Sequence, residues 1–505
     1  MIKPPIQASI AILALGSLLG AQAATASSIQ KAPKSVLDGF QVRAASMQDL
    51  DLPQQSVAGF EVTVRLAGRN MKLVLRAKDI RAKNYKLLVY DANGLHETPR
   101  SPNVTYQGSV EGYPSSRVAA TLFRGQLTAM IAFLPNQPLW NVQPRTEVDK
   151  SANPKTHVMH SSRDSVAPQH QCGVKGHSVP TTTRRTPTLN SSAANRKKYA
   201  EIASDADNAY YARKGRSVSS TEAAVNTVMN GVETIYDRDV DLKYLITRII
   251  VRTSKVYSGT STGSLLSEMR SRWGSNHGGI KRDMAHMFTG VGSFSGVIGT
   301  AYLGVVCGSS AYGVSKAYHS SNSTNVGLVS HEAGHNWGAG HCSGNTCYIM
   351  CSGLGGCGSN LTKFGSSSKS TIIGFANGLG CLDLDPWLRI GGGISGQLGN
   401  PRFKGEGFIK STTNPPKITL SNYRPNSLGV FVIGLTPLKI SYFGGLLVPS
   451  PDVAVGISGN GSPMVLDASA LKNASIANLW AQAFYIDAAA QQGVSATSGY
   501  RIFVK

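Results

Sequence analysis

The sequence predicts an α/β domain built on a mixed sheet and a histidine-bearing helix, preceded by a β-rich segment and followed by a small all-β sandwich domain. Three observations carry this. Residues 197–385 alternate strand and helix signals, as an α/β layer structure requires. Residues 24–185 contain period-two alternation punctuated by Gly and Ser-Ser. Residues 386–505 are poor in charge and read as short apolar runs between Gly- and Pro-containing turns.

The chain has 505 residues, a length for several domains, and its 41% hydrophobic content excludes a disordered chain. It opens with MIK, an apolar run (IAILALGSLLG) and Ala21-Gln22-Ala23. A basic start, a run too short to span a bilayer and a small-residue cleavage site read as a signal peptide over residues 1–23. No later stretch is apolar for long enough to span, so no transmembrane segment is expected. We read the protein as secreted, from a bacterium. The seven cysteines fit an oxidising destination. The net charge of +22 is spread along the chain without a dense basic run, and no nucleic-acid motif accompanies it. Nucleic acid is therefore not an expected partner; weak attraction to acidic surfaces is the simpler reading.

In the first segment, residues 60–66 (FEVTVRL) and 71–76 (MKLVLR) alternate as strands, and residues 105–133 read as a meander. Nothing here is catalytic, and the expected role is a folding template and plug. The segment closes on Pro168-Gln169-His170-Gln171-Cys172-Gly173-Val174. A thiolate is a strong zinc ligand, and Gly173 permits close backbone approach to a cleft. His170 and His177 are read as solvated loop residues. Residues 175–198 form a linker rich in Ser, Thr, Pro and Arg, with Arg184-Arg185 and Arg196-Lys197-Lys198 as exposed basic cleavage candidates. Residues 24–185 are accordingly read as a removable pro-segment.

Within residues 197–385 the expected order is a strand at 199–203, a long amphipathic helix at 218–236 and a strand at 242–251. A short helix at 265–273 follows, then 283–289 leading into a Gly-rich loop. A strand at 298–307 is expected beside the cleft, where a substrate backbone can add alongside it. A helix at 326–338 follows.

That helix carries HEAGHNWGAGH, residues 331–341. His331 and His335, four residues apart, project from one helix face and can reach one metal ion. Gly338 lets the chain leave the helix, and His341 returns as a third ligand. Three ligands leave a fourth position open, as in a catalytic zinc site. Glu332 stands where a general base can act on a water there. Downstream, Met350 can pack as an apolar floor beneath the histidines. Cys172 stands alone, while the other six cysteines cluster around the motif. Six cysteines permit many pairings; the pairing expected is Cys307 with Cys381, Cys342 with Cys347, and Cys351 with Cys357. In the last domain, residues 428–435, 439–448 and 498–504 read as strands. Trp480 and Tyr485 read as core more readily than as ligand-stacking aromatics.

HEAGHNWGAGH followed by Tyr348-Ile349-Met350 resembles a metzincin zinc metallopeptidase with its Met-turn, and more narrowly the reprolysin/ADAM-like branch. Three further stretches are similar to that branch: residues 285–307, the PQHQCGV of its cysteine switch, and residues 106–127 of its propeptide signature. The resemblance covers about residues 60–385. The tail is similar to small accessory domains of bacterial secreted proteins. The resemblance implies a metzincin catalytic domain in a secreted zinc-dependent endopeptidase that hydrolyses extracellular proteins. Zinc would sit on His331, His335 and His341, with Glu332 as base, Cys172 as the inhibitory ligand of the zymogen and Met350 as the turn methionine. It maps a structural calcium site onto Glu201 and Asp283 with the carbonyl of Cys381. Leu384 stands where that site has asparagine, and Cys342 where the branch often has aspartate. A monomer acting on protein or peptide substrates is expected. The rival reading is an exported adhesin or matrix-binding protein whose C-terminal β domain is the functional part; an intact base at Glu332 argues against it.

Overall fold

The computed structural model describes residues 30–133, 138–166, 171–174, 196–354, 357, 360–409, 411 and 414–504. The expected signal peptide, residues 168–170, His177 and the Arg184-Arg185 pair lie outside the described residues. Among the described residues, no helix is long and apolar enough to cross a membrane.

The first half of the chain builds a nine-stranded antiparallel sheet. The meander is its centre: Thr105–Val110, Tyr113–Phe123 and Gln126–Ala132 pair in sequence. Gly59–Leu66 and Arg69–Ala77 form the hairpin at one end. Val62, Val64, Leu66, Leu73 and Leu75 point into one apolar core, as period-two alternation requires.

A second sheet runs in the order Gln171–Cys172, Val297–Ala301, Tyr312–Ser315, Met284–Phe288, Lys198–Ala206, Leu242–Arg252, Arg81–Asp91, Gly94–Thr98. Its central strands pair in parallel, and Lys198–Ala206 is almost wholly buried, as a strand covered on both faces must be. The helix Val218–Val240 packs on this sheet, started by the Ser217 hydroxyl accepting from Ser220 N–H and ended by Asp241 at φ 53°. Thr262–Asn276 is started by a reciprocal Ser261/Ser264 capping box. Both outer ends of this sheet come from before residue 175: the Arg81–Thr98 hairpin at one, Gln171–Cys172 at the other.

Four expectations change here. The strand expected at 298–307 stops at Ala301. Beyond it Gly304 and Cys307 take positive φ, and Gly304 and Val305 N–H groups donate to the carbonyls of His335 and Asn336 at 2.8 and 2.9 Å. The segment therefore satisfies the open C-terminal carbonyls of the histidine helix instead of extending the sheet. Tyr312–Ser315 is a strand the sequence reading did not assign. Arg196-Lys197-Lys198 is not an exposed cleavage candidate: Lys198 is buried in the first strand, Arg196 bonds to the carbonyls of Leu384 and Asp385, and Lys197 pairs with Asp237. Residues 439–448 are not one strand but a hairpin, Pro437–Tyr442 with Gly445–Pro449, because Phe443 and Gly444 both take the positive φ of a tight turn.

After residue 386, a six-stranded and a three-stranded sheet share one core that includes Leu420, Phe431, Ala483 and Ile502. Tyr485 is buried in it, stacked on Tyr423 at 4.7 Å.

Candidate metal centre

The helix Asn322–Asn336 is buried along its whole length and carries His331 and His335 one turn apart. It stops at Trp337, and Gly338 turns the chain at φ 87°. Asn336 anchors this end by donating to the carbonyls of Tyr302 and Tyr312 at 2.8 and 3.0 Å. Trp337 Nε1 donates to Tyr244 Oη at 2.7 Å. The chain then brings His341 back to the two helical histidines.

Backbone carbonyls set the ring orientations. His331 Nδ1 meets Ile349 O at 2.5 Å, and His335 Nδ1 meets Ala339 O at 2.7 Å. A carbonyl only accepts, so each Nδ1 is protonated and each Nε2 carries a lone pair. Burial and mutual repulsion hold both rings neutral, His331 down to about 4 and His335 to about 2; burial also lowers His341. The three Nε2 atoms lie 3.0, 3.2 and 3.3 Å apart. With lone pairs directed at one another, these approaches are not hydrogen bonds; they call for a cation. Tetrahedral zinc with Zn–N bonds of about 2.0–2.1 Å sets its nitrogens ~3.3 Å apart. The donor set fits that ion.

Cys172 supplies the fourth donor, and its sulfur, with the three imidazoles, falls within a sphere of contacts under 4.8 Å. Its Sγ is 3.5 Å from His335 Nε2, against ~3.6 Å for sulfur and nitrogen on one tetrahedral zinc. Burial beside the Glu332 carboxylate pushes the thiol up, so a thiolate here needs a cation next to it. Three backbone bonds seat this strand: Gln171 N–H to Gly296 O at 3.0 Å, Cys172 N–H to Ser352 O at 3.1 Å and Gly173 N–H to Gly299 O at 2.9 Å. It lies along the edge of Val297–Ala301, where a substrate backbone was expected to add.

Residues 195–372, which contain the three histidines, match the Reprolysin_5 family, metallo-peptidase family M12. They are a reprolysin-like M12 domain. No curated protein matches the chain.

In the M12 domain Glu332 is fully buried, and burial raises its carboxyl to about 8. Its Oε1 is buried against Gly299 and has no hydrogen-bond partner among the described residues. Gly299 is what leaves room for it: a Cβ there would stand 2.2 Å from that oxygen. Sequence reading missed Gly299, although a glycine inside an edge strand is a signal of close approach.

Met350 is fully buried beneath the helix, and Gly334 admits it: a Cβ at Gly334 would meet the sulfur at 2.6 Å. The position after the third histidine is secured differently from the aspartate of the branch. Cys342 is bridged to Cys347, and its N–H donates to Met350 O at 3.1 Å, tying His341 to the floor residue. The other bridges are Cys307–Cys381 and Cys351–Cys357, the same pairs expected above.

Glu201 and Asp283, the residues mapped onto calcium, are brought together. Asp283 Oδ2 accepts from Glu201 N–H at 2.7 Å, and the Glu201 carboxylate pairs with Lys281 at 3.1 Å. Burial raises Asp283 to about 7. The Glu201 Oε2 that Lys281 approaches is buried and accepts no hydrogen bond among the described residues. Asp283 also neighbours Cys307 and Cys381, whose sulfurs are spent on their bridge.

Proposed function

We propose that this chain is a secreted zinc endopeptidase that cleaves extracellular proteins and is made as a zymogen held silent by Cys172. The observation that carries the reading is the convergence of three neutral imidazole lone pairs and one thiol around a common centre, with a free buried carboxylate beside it. His331, His335 and His341 would hold the metal. Bound there, zinc supplies Lewis-acid polarisation of a carbonyl and lowers the pKa of water. Glu332 takes up a proton at its carboxylate and delivers it to the leaving amine, acting as general base and then as general acid. The outer edge of Val297–Ala301 orients an extended peptide by backbone bonding. While the precursor is uncut, Gln171–Cys172 occupies this edge, and the Cys172 sulfur would hold the metal alongside the three histidines.

The deciding experiment is metal analysis and a peptide-library digest on secreted protein cut in the linker. One zinc per chain is expected, with cleavage lost on chelation and restored by zinc. A zinc-loaded, cut protein that cleaves no peptide would refute the reading.

A further inference from the structure

The helix Val218–Val240 carries a stripe of polar residues, Glu222, Asn226, Asn230, Glu233 and Asp237, spaced by three or four and so aligned on one face. All five are buried, and the pro-segment does much of the covering. Arg81, itself 5% exposed, pairs with Glu222 at 3.1 Å. Tyr85 Oη donates to the same carboxylate at 2.8 Å, and the Ser101 hydroxyl bonds to it as well. Gln107 donates to Glu233 at 2.6 Å, Asn230 donates to Ala120 O at 2.9 Å, and Arg117 pairs with Asp237 at 3.0 Å.

A polar stripe alone would suit an interface that opens. The apolar contacts beside it do not. Ile80, Tyr85, Leu87, Met130 and Leu139 belong to the same buried core as Ile202, Val225, Met229, Val232, Ile246 and Ile249 of the M12 domain. Residues 86–90 pair in parallel with 248–252, so withdrawing them bares a long apolar sheet edge. The cleft end has no such apolar core among the described residues: it is held by a two-residue strand, three backbone bonds and the single Cys172 sulfur at the metal centre, a bond that exchanges with water once the chain is cut.

We propose that cutting the linker frees the cleft strand but not the body of the pro-segment, so that the mature enzyme is a non-covalent two-chain particle. The Arg81–Thr98 hairpin stays as the outer strands of the catalytic sheet, and the antiparallel sheet stays seated on Val218–Val240. This rests on the zymogen reading above. It makes the pro-segment two devices: a removable plug at residues 171–174, and a permanent structural subunit elsewhere.

The test uses the full chain, nicked by trypsin in the linker at Arg184-Arg185, with the cut confirmed by N-terminal sequencing. The nicked protein is then passed through size exclusion at submicromolar concentration. Co-elution of both fragments at the mass of the whole chain is expected. Separate elution of the pro-segment overturns the proposal, whether the catalytic fragment stays soluble or aggregates. Arg81→Ala strips Glu222 of its cation and should raise the dissociation constant of the nicked pair at least ~tenfold. Gln107→Ala, a gentler change if the first variant fails to fold, should raise it about threefold. Unchanged dissociation in the variants that fold counts against the proposal. The readout is mass, not activity: a co-eluting pair that hydrolyses nothing would count against the peptidase reading and leave this one standing.

Discussion

Cys172 Sγ stands 3.5 Å from Glu332 Oε2 and 3.5 Å from His335 Nε2, so a single thiol meets both the carboxylate base and the metal-ligand set. A serine at 172 keeps the backbone seating but loses the soft sulfur donor that zinc prefers over an alcohol. The uncut Cys172→Ser precursor should hydrolyse a quenched peptide at least ~tenfold faster than the uncut wild type. If it is as silent as the wild type, the switch assignment is wrong and blockage is purely steric.

Glu332→Gln preserves shape and removes the proton acceptor. None of the three histidines bonds to Glu332; the helical pair is oriented instead by backbone, His331 Nδ1 by the Ile349 carbonyl and His335 Nδ1 by the Ala339 carbonyl. Zinc content should therefore stay at the wild-type level. The cut enzyme should lose about a hundred- to ten-thousandfold in kcat, the range of a general base. Turnover near wild type would remove Glu332 from the mechanism.

How far the site was legible can be read residue by residue. His331, Glu332, His335 and His341 were readable because helical periodicity converts an i, i+4 spacing directly into one face. Cys172 was readable as a zinc ligand because a lone thiol beside a glycine suits the open fourth position, and its PQHQCGV setting resembles a cysteine switch. The carbonyls of Ile349, Ala339 and Ser352 were not, since any residue type carries a carbonyl. The strands of residues 59–77 and 105–132 followed their alternation, because one face of that sheet is core. The Arg81–Thr98 hairpin alternates just as well, yet joins the other sheet; nothing in a strand's own sequence names its partner. Residues 302–307 look like strand by composition, but the open carbonyls of His335 and Asn336 at the end of the histidine helix claim the N–H groups of Gly304, Val305 and Val306.

Gly334 sits inside a helix, where alanine is ordinarily better by roughly 1 kcal/mol. Here a Cβ would lie 2.6 Å from the sulfur of fully buried Met350 and 3.4 Å from the Phe364 ring. Overpacking of that kind costs about 1–3 kcal/mol, which outweighs the propensity gain. Gly334→Ala should lower the melting temperature and, by pushing on the floor between the two helical ligands, weaken zinc retention against a chelator. A melting temperature equal to or above wild type would show that Met350 is free to yield.

The strand Thr156–Ser161 carries two buried histidines, and their protonation sets an acid limit on the uncut chain. His157 Nδ1 donates to Lys155 O at 2.7 Å while Nε2 accepts from Leu127 N–H at 3.0 Å, so the ring is held neutral with both nitrogens in use. Burial lowers it from 6.5 to about 4, and the attraction of Asp49 is too weak to compensate. His160, facing Gln143 and the Phe40 ring, is lowered to about 4 by burial as well. Each ring binds a proton more readily in the unfolded chain than in the folded one. Stability is therefore full above pH ~6.5 and falls as pH drops toward 4, by about 2 kcal/mol per histidine by pH 5. Melting temperatures of the uncut Glu332→Ala chain between pH 7 and pH 5 should decline accordingly. His157→Gln, added to that background, should flatten the decline even if it lowers the starting value. An unchanged slope in the double variant would mean that His157 is not the titrating group.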